Sequence, residues 1–375
     1  MIAISQPLLL GREREYLNDC LDKVQLSSGV YVLRFEEEFA KFCNVRYAVA
    51  TSSGTTALHL ALKALGVRSG HQVIVPGITY VATANAVRYC GAEPLFCDVD
   101  AKTWNLDPEC VNQMVRSSSR IAAIVPVHLY GVPADMTLIR ELAPRDISIV
   151  EDAAEAHGAE HRGKRVGGLG DIGVFSFYGN KILTCGEGGM LTTNSESVAA
   201  ELRFYRGQAM STTRRYWHTA IGYNYRMTNM QAALGLAQLE SYDEHARLRR
   251  QVMDWYRDAF VTEKFNVILQ GCDERDNRAD WMCAVTIPTN FSRNEVMREL
   301  MDRGVETRPV FPLISEMPPY FKHPRPLLSV SARTSRLGIN LPTHGALTED
   351  DVRFVVRSLK ECIAPERLHS RMETA

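Results

Sequence analysis

One lysine stands inside a nearly uncharged, glycine-rich stretch of this sequence, FSFYGNKILTCGEGGM at residues 175–190. An ammonium group avoids water-poor surroundings unless a specific interaction engages it. In a partly desolvated pocket the pKa of a lysine amine falls, and the neutral amine condenses with an aldehyde to form a Schiff base. Lys181 is therefore a candidate for covalent amine chemistry, although a surface lysine in a glycine loop would have the same local sequence.

Three other segments match the needs of an aldehyde cofactor that carries a pyridine ring and a phosphate. Asp152 ends the run ISIVED, and a carboxylate there can keep a pyridine nitrogen protonated. Residues 53–55 offer hydroxyl and backbone N–H groups at a predicted helix start, where phosphates bind. Tyr80 follows the run QVIVP and has a flat ring face. Each segment also has an ordinary explanation, namely a solvated strand end, a helix cap and a packing aromatic, but together with the lysine they indicate pyridoxal phosphate.

The elements that must position these residues alternate between short β-rich runs and helical stretches from about residue 46 to 195. This alternation predicts an α/β fold with a mostly parallel central sheet covered by helices on both faces. Ligands of such sheets lie beyond the carboxyl ends of the strands, where several of these runs become polar. The predicted strands are 72–76, 94–100, 121–131, 147–154 and 173–179.

Helical signals divide the chain into two parts. The segment SSGTTALHLALKALG predicts a helix that Gly66 stops, and one long helical pattern from Thr228 becomes charged as it leaves the first part. We therefore predict a large cofactor-binding domain at 1–240 and a smaller C-terminal α/β domain at 241–375. Its last helix should begin with a capping box formed by Thr348 and Asp351.

Composition excludes several classes of protein. The 43 Lys and Arg residues nearly cancel 44 Asp and Glu residues, which argues against a nucleic-acid partner. The sequence shows no signal peptide and no apolar run near the roughly 20 residues that span a bilayer, so we expect no membrane association. Nine scattered cysteines without zinc spacing predict no metal site and a reducing, cytoplasmic location.

A glycine motif at residues 168–173, GLGDIG, satisfies the dinucleotide pattern G-x-G-x-x-G. That pattern requires a strand before it and a helix after it, whereas a charged stretch precedes this one and a strand-like run follows. We therefore expect a turn.

In this order of motifs the chain resembles fold-type-I pyridoxal phosphate-dependent transferases, the aspartate aminotransferase type. It is more closely similar to the sugar aminotransferase family called DegT/DnrJ/EryC1/StrS. The resemblance spans residues 49–240 and is carried by the stretches ATSSGTTALHLAL, VPGITYVATANAV, PVHLYGVPADM, IVEDAAEAHGAE, GDIGVFSFYGNKILTCGEGGM and GYNYRMTNMQAALGLAQLE.

The resemblance implies a role for each site residue. Lys181 would hold the cofactor as a Schiff base and shuttle a proton during the reaction. Asp152 would pair with the pyridinium nitrogen, Glu155 would lie beside the ring, and Tyr80 would stack on it. The residues implied in phosphate binding are Ser53, Gly54, Thr55, Ser176 and, from a neighbouring subunit of a homodimer, Asn224. His157 follows the aspartate motif, and we expect a hydrogen-bonded core histidine there rather than a site residue.

The same resemblance implies ping-pong transfer of an amino group from L-glutamate to a keto sugar linked to a nucleotide diphosphate. The stretches RYWHTAIGYNYRMTN, GVETRPVF and GINLPT are most similar to members that aminate GDP-4-keto-6-deoxymannose, for deoxyamino sugars of O-antigens or glycosylated natural products. Candidate sugar contacts are Tyr216, Trp217, His218 and Arg308, although the aromatics could be packing residues and the arginine a surface ion-pair partner.

One segment departs from that subgroup. Pro312 and Ser315 stand where those members tend to have tyrosine and histidine, and lost hydrogen-bonding groups change discrimination between hydroxylated substrates. An aminotransferase for another nucleotide keto sugar, aminated at the 3-position or linked to dTDP or UDP, is therefore the alternative. A pyridoxamine phosphate-dependent sugar dehydratase is a weaker alternative, since the dehydratases of this family have histidine in place of the lysine. A catalytically silent regulatory protein is a weaker alternative still.

Overall fold

The computed structural model describes residues 1–265, 267–321 and 327–364. Its α-helices are α1 (Glu13–Asp22), α2 (Val30–Phe42), α3 (Gly54–Ala64), α4 (Ala82–Tyr89), α5 (Pro108–Ser117), α6 (Met136–Leu142), α7 (Glu196–Arg206), α8 (Asn229–Glu240), α9 (Tyr242–Thr262), α10 (Arg293–Asp302), α11 (Ser329–Leu337) and α12 (Glu349–Cys362). Its strands are β1 (Tyr47–Thr51), β2 (Gln72–Pro76), β3 (Glu93–Cys97), β4 (Ile121–Ile124), β5 (Ser148–Asp152), β6 (Glu160–His161), β7 (Lys164–Arg165), β8 (Ile172–Ser176), β9 (Gly189–Thr193), β10 (Ile268–Leu269), β11 (Cys283–Thr286), β12 (Arg308–Pro309) and β13 (Gly338–Leu341).

Seven strands form the main sheet, in the order β1-β9-β8-β5-β4-β2-β3. The pairs from β8 to β3 are all parallel, whereas β9 runs antiparallel to both of its neighbours. The carboxyl ends of β1, β2, β5 and β8 therefore lie at one edge of the sheet. The predicted mostly parallel α/β sheet is confirmed, and this edge collects the segments singled out above.

Side chains alternate between the two faces of the sheet, because successive residues of a strand point in opposite directions. On one face Val150 and Val174 belong to the core under α3, α4 and α7. On the other face Ile149 lies in the core under α5 and α6, and Phe175 in the core under α2 and α8. Every strand that carries a site residue is thus fixed from both sides.

All five predicted strands are present: 72–76 has the predicted bounds, and the other four end earlier than predicted. The run 121–131 forms only the short strand β4, because Pro126 lacks the N–H that a ladder needs, and a 3-10 turn follows at Leu129–Gly131. Strands β1 and β9 were not predicted, although they complete the sheet beside β8. The single long helix expected from Thr228 is wrong, since Ser241 separates α8 from α9.

A second, antiparallel sheet of four strands has the order β10-β11-β13-β12. It packs with α9, α10 and α12 around one apolar cluster that includes Tyr256, Leu300 and Val356. Thr348 and Asp351 form the predicted capping box of α12.

We propose the domain division at 240/241 on the basis of these two sheets. One adjustment follows from the contacts of the N-terminus, because Ile2 bridges Val305 and the Ile4 N–H donates to Glu306. The first residues therefore pack on the C-terminal unit, whose residues 365–375 lie outside the described part of the chain.

Candidate active site

Lys181 lies in the loop between β8 and β9, at the carboxyl edge of the main sheet. Its backbone N–H donates to the Tyr178 carbonyl at 2.9 Å, and only 11% of its side chain is exposed. The Nζ atom lies 3.6 Å from Oε1 of Glu155. Burial lowers the pKa of Lys181, and the nearby carboxylates Glu155 and Asp152 oppose that shift. The amine is therefore shielded from water and lies beside a carboxylate. We predicted such desolvated surroundings for a reactive lysine.

Asp152 and Glu155 stand at the end of β5 and in the turn that follows it. The Thr83 hydroxyl donates to Oδ2 of Asp152 at 2.7 Å, and the Ala154 N–H donates to Oδ1 at 3.2 Å. The Tyr130 N–H donates to Oε2 of Glu155 at 2.8 Å. Burial raises the pKa of Asp152, and burial raises the pKa of Glu155 to about 7. Both carboxylates are therefore poised to pair with a positive charge brought into the site.

The start of α3 meets the end of β8. Ser53 caps the helix, because its Oγ accepts the Thr56 N–H at 3.2 Å in a capping box. A role of Ser53 in phosphate binding stays a prediction. The N–H groups of Gly54 and Thr55, in the first turn, have no acceptor within the helix. A Cβ on Gly54 would lie 2.7 Å from Cβ of Ser176. These N–H groups and the Ser176 hydroxyl therefore lie together, in a place where the dipole of α3 favours an anion.

The glycines after Lys181 allow this close packing. Gly186 has a φ of 81°. A Cβ on Gly189 would lie 2.3 Å from the Ser53 carbonyl oxygen. The glycine cluster thus returns the chain into β9 against the start of α3.

Tyr80 lies in the segment after β2, with 58% of its surface exposed. Its ring centroid is 5.9 Å from that of Phe311. The ring therefore keeps an open face for a ligand.

The segment 207–228 carries Asn224 and three of the candidate sugar contacts. Asn224 is exposed and bridges Gly207. Tyr216 and Trp217 are exposed too, each under an arginine, and His218 Nδ1–H donates to the Gln208 carbonyl at 2.8 Å. The aromatics are thus not core packing residues.

Arg308, the fourth candidate sugar contact, pairs with Glu306 at 2.7 Å, which is the ion-pair alternative considered above. In the described part of this single chain, no hydrogen bond, ion pair or ring contact joins Lys181 to Asn224 or to the four candidate sugar contacts. A sugar-binding role for them remains a prediction.

Sequence reasoning missed three residues around the lysine. The Trp281 ring centroid lies 3.8 Å from Lys181 Nζ, Tyr130 holds Glu155 through its backbone, and Thr83 holds Asp152. Tyr130 lay inside the motif PVHLYG, but nothing in the sequence marked its backbone, which has a φ of 52°. Trp281 is a hundred positions from Lys181, and a single sequence holds no signal for such a contact.

His157 is buried and packs between Phe175 and Phe177, at ring distances of 5.5 and 5.3 Å. Burial lowers its pKa to about 3, so the ring is neutral. It is a core histidine as expected, but the expected hydrogen bonds are wrong, since neither ring nitrogen has a partner among the described residues.

Residues 168–171 of the GLGDIG motif form a bend before β8, in agreement with the expected turn, and Ile172 and Gly173 already belong to β8. The N–H groups of Leu169 and Gly170 in the motif, and of Gly167 just before it, donate to the Glu151 carboxylate. The motif therefore presents no cradle for a dinucleotide.

The described residues show no features of a metal centre or of a membrane-spanning helix. Those residues contain no group of three or more His, Cys, Asp or Glu side chains that could hold a metal ion. Among them, no helix has the length and apolar character required to cross a membrane.

The site fits pyridoxal phosphate on observations of this chain. Unpaired N–H groups and a serine hydroxyl converge where a Cβ on Gly54 would intrude, which suits the phosphate. A buried carboxylate at Asp152 suits the ring nitrogen, and the desolvated Lys181 suits the aldehyde.

Comparison with known proteins agrees with this chemistry. The chain is 45% identical over 371 residues to GDP-perosamine synthase of Caulobacter vibrioides, covering 96% of this chain and 98% of that protein. It is 42% identical over 368 residues to GDP-perosamine synthase of Escherichia coli O157:H7, covering 96% and 98%. Among solved structures, DesI in the presence of its TDP-sugar product has a TM-score of 0.91 and 31% identity, covering 100% of this chain and 95% of DesI.

A family match covers nearly the whole chain as well. Residues 9–360 match the family described as DegT/DnrJ/EryC1/StrS aminotransferase. The motifs around Lys181, the fold and the relatives all lead to the same assignment. This chain is a member of the DegT/DnrJ/EryC1/StrS aminotransferase family.

Proposed function

We propose that this pyridoxal phosphate-dependent aminotransferase transfers an amino group from L-glutamate to GDP-4-keto-6-deoxymannose, producing GDP-perosamine. The observation that carries the proposal is the 45% identity to a GDP-perosamine synthase along 96% of the chain. The GDP-perosamine synthases of Escherichia coli O157:H7 and Vibrio cholerae are also similar to it, at 42% and 37% identity.

When bound, pyridoxal phosphate supplies an electron-accepting ring and an aldehyde carbon that carries the amino group between donor and acceptor. We assign Lys181 Nζ to accept the α-proton of the donor and to return a proton during amination of the sugar. Its lowered pKa makes a neutral amine available for both tasks.

The remaining residues hold the cofactor in this proposal. Asp152 keeps a proton on the ring nitrogen, and Glu155 lies beside the ring and balances the charge of Lys181. Tyr80 covers the ring with its exposed face. The residues assigned to the phosphate are Ser53, Gly54, Thr55, Ser176 and Asn224 of the partner subunit.

Asn224 is the reason to propose a homodimer with shared active sites. It lies on an exposed segment that also bears Ile221, a large apolar residue with 85% exposure. A second copy would cover such residues. We also propose a cytoplasmic location, because all nine cysteines are free thiols.

The alternative is another nucleotide keto sugar, and the segment after β12 favours keeping it. Pro312 is exposed and Ser315 is buried. A proline and a serine supply neither the phenol nor the imidazole that similar members have at these positions. One relative, at 32% identity, is a UDP-2-acetamido-2-deoxy-3-oxo-D-glucuronate aminotransferase. The sugar contacts Tyr216, Trp217, His218 and Arg308 belong to either version.

The test combines a spectrum with paired substrates. Purified protein should be yellow and should lose its visible band on addition of L-glutamate, and Lys181→Ala should show no such band. Turnover of GDP-4-keto-6-deoxymannose with glutamate should exceed turnover of dTDP-4-keto-6-deoxyglucose. The opposite preference would reject the GDP sugar, and an unchanged spectrum in both proteins would reject the role of Lys181.

A further inference from the structure

Trp281 makes two contacts with the lysine loop that no known motif requires. Its ring centroid lies 3.8 Å from Lys181 Nζ, which is the distance of a close cation–π contact. Its indole Nε1–H donates to the carbonyl of Asn180, the preceding residue, at 2.8 Å. One side chain thus touches both the reactive atom and the backbone that carries it.

Trp281 is itself fixed by the rest of the fold. It is buried, its ring stacks on Tyr130 at 5.9 Å, and its carbonyl accepts a bond from the buried guanidinium of Arg249 at 3.1 Å. Tyr130 continues into Phe311, with ring centroids 5.2 Å apart. The position of the indole is therefore set by the stacked rings and by Arg249, independently of its contacts with Lys181.

We infer that Trp281 is a positioning residue for Lys181: the ring face holds the ammonium, and the indole N–H fixes the turn that presents it. The inference rests on the proposed function only in treating Lys181 as the reactive amine. A desolvated ammonium over an indole is stabilised, so the ring acts on the pKa of Lys181 in the direction opposite to burial.

Other charged and titratable groups also face the lysine and must be separated from the ring. Glu155 lies 3.6 Å away, while Asp152 and His157 stand in the same turn region after β5. From α9, His245 and Arg249 line a small cavity together with Lys181. Measurements in a Glu155→Gln background remove the carboxylate that lies 3.6 Å from the ammonium and whose pKa burial raises to about 7.

The experiment measures the pKa of Lys181 in cofactor-free protein, by trace labelling with acetic anhydride across pH and mass spectrometry of the lysine peptide. Trp281→Leu should lower that pKa by about one unit, because the cation–π contribution is lost. Trp281→Phe should lower it less, since a phenyl face is a weaker partner. Trp255→Phe, a half-buried tryptophan on α9 that packs on the small-domain core, is the control and should cause no shift.

Amide hydrogen exchange of residues 177–188 tests the second contact. Exchange should rise in both Trp281 variants, which lack the indole N–H, and stay unchanged in Trp255→Phe. If Trp281→Leu folds and the pKa of its Lys181 is unaltered, the inference is overturned. If Trp281→Leu does not fold, unaltered amide exchange in Trp281→Phe overturns it. Neither readout uses substrate, so a failed aminotransferase assay would not affect the result.

Discussion

Glu155 is a buried carboxylate whose only close cation is Lys181 among the contacts of the described chain. Burial raises its pKa from 4.5 to about 7, because the charged form loses water. In cofactor-free protein the folded state therefore binds a proton that the unfolded chain has released by neutral pH.

The stability of cofactor-free protein should consequently depend on Glu155. The raised pKa stabilises the fold fully below about pH 4.5, and this contribution is lost as the pH rises through about 7. Urea unfolding measures how much the free energy of unfolding falls between pH 5 and pH 8. This fall should be smaller by about 3 kcal/mol in Glu155→Gln than in the wild type. Exposed Glu141→Gln is the control, and identical pH dependence in all three proteins would contradict the assignment.

At the scale of single residues, the sequence predicted the lysine and its two carboxylates because they stand in short motifs. Lys181, Asp152 and Glu155 also lie together in the fold. Trp281 and Tyr130 could not be predicted, since one depends on a contact across a hundred positions and the other on an unusual backbone angle. No motif records either property.

The 3-10 turn after β4 makes a close backbone contact with the segment before β11. Gly131 has a φ of 91°, and a Cβ there would lie 1.7 Å from the Ala279 carbonyl oxygen. The Ala279 N–H also donates to the Gly131 carbonyl at 2.9 Å. The backbone that leads to Trp281 is therefore seated directly on this glycine.

Substitution of Gly131 should separate this close approach from simple backbone strain. Gly163 has a similar φ of 76° with open space around it, so Gly163→Ala should cost only about 1 kcal/mol. Gly131→Ala should cost about 3 kcal/mol or more, because the carbonyl must move as well. Chemical denaturation of both variants measures the difference, and equal costs would show that no steric contact exists.

At the scale of elements, local chemistry predicted the ends of helices better than the extent of strands. Ser53 caps α3 and the capping box of α12 forms, as their sequences indicate. The break at Ser241 has no proline or glycine to mark it, and β9 depends on pairing with β1 and β8. Both outcomes are set by tertiary packing rather than by local preference.

At the scale of the molecule, the proposal that active sites are shared has a direct test. If Asn224 serves the partner subunit, then a dimer of one Lys181→Ala chain and one Asn224→Asp chain keeps one intact site. The aspartate variant is chosen because its charge repels a phosphate. Co-expression of the two inactive chains should restore about a quarter of wild-type activity, since random pairing makes half of the dimers mixed.

Each variant expressed alone serves as the control for this experiment. Activity that stays at the level of the separate variants would place Asn224 in its own chain's site or outside any site. Native mass spectrometry of the co-expressed protein, which separates the mixed dimer from the two homodimers by mass, confirms that mixed dimers are present.

The overall plan of the molecule followed from the alternation of strands and helices, which required a parallel sheet with a site at its carboxyl edge. The contacts of the first residues with the C-terminal unit could not be predicted in this way, because nothing in the sequence around Ile2 and Ile4 indicates their partners.

The position of β1 at the edge of the sheet has a consequence for how the protein acquires its site during synthesis. Residues 47–51 pair only with 189–193, about 140 positions later, and this pairing brings the start of α3 against Ser176. Contacts this distant in sequence form late, since a long loop must close first. The start of α3 and Ser176 therefore come together only after residues 189–193 have been synthesised and have paired with β1, so capture of the cofactor follows completion of this edge of the sheet.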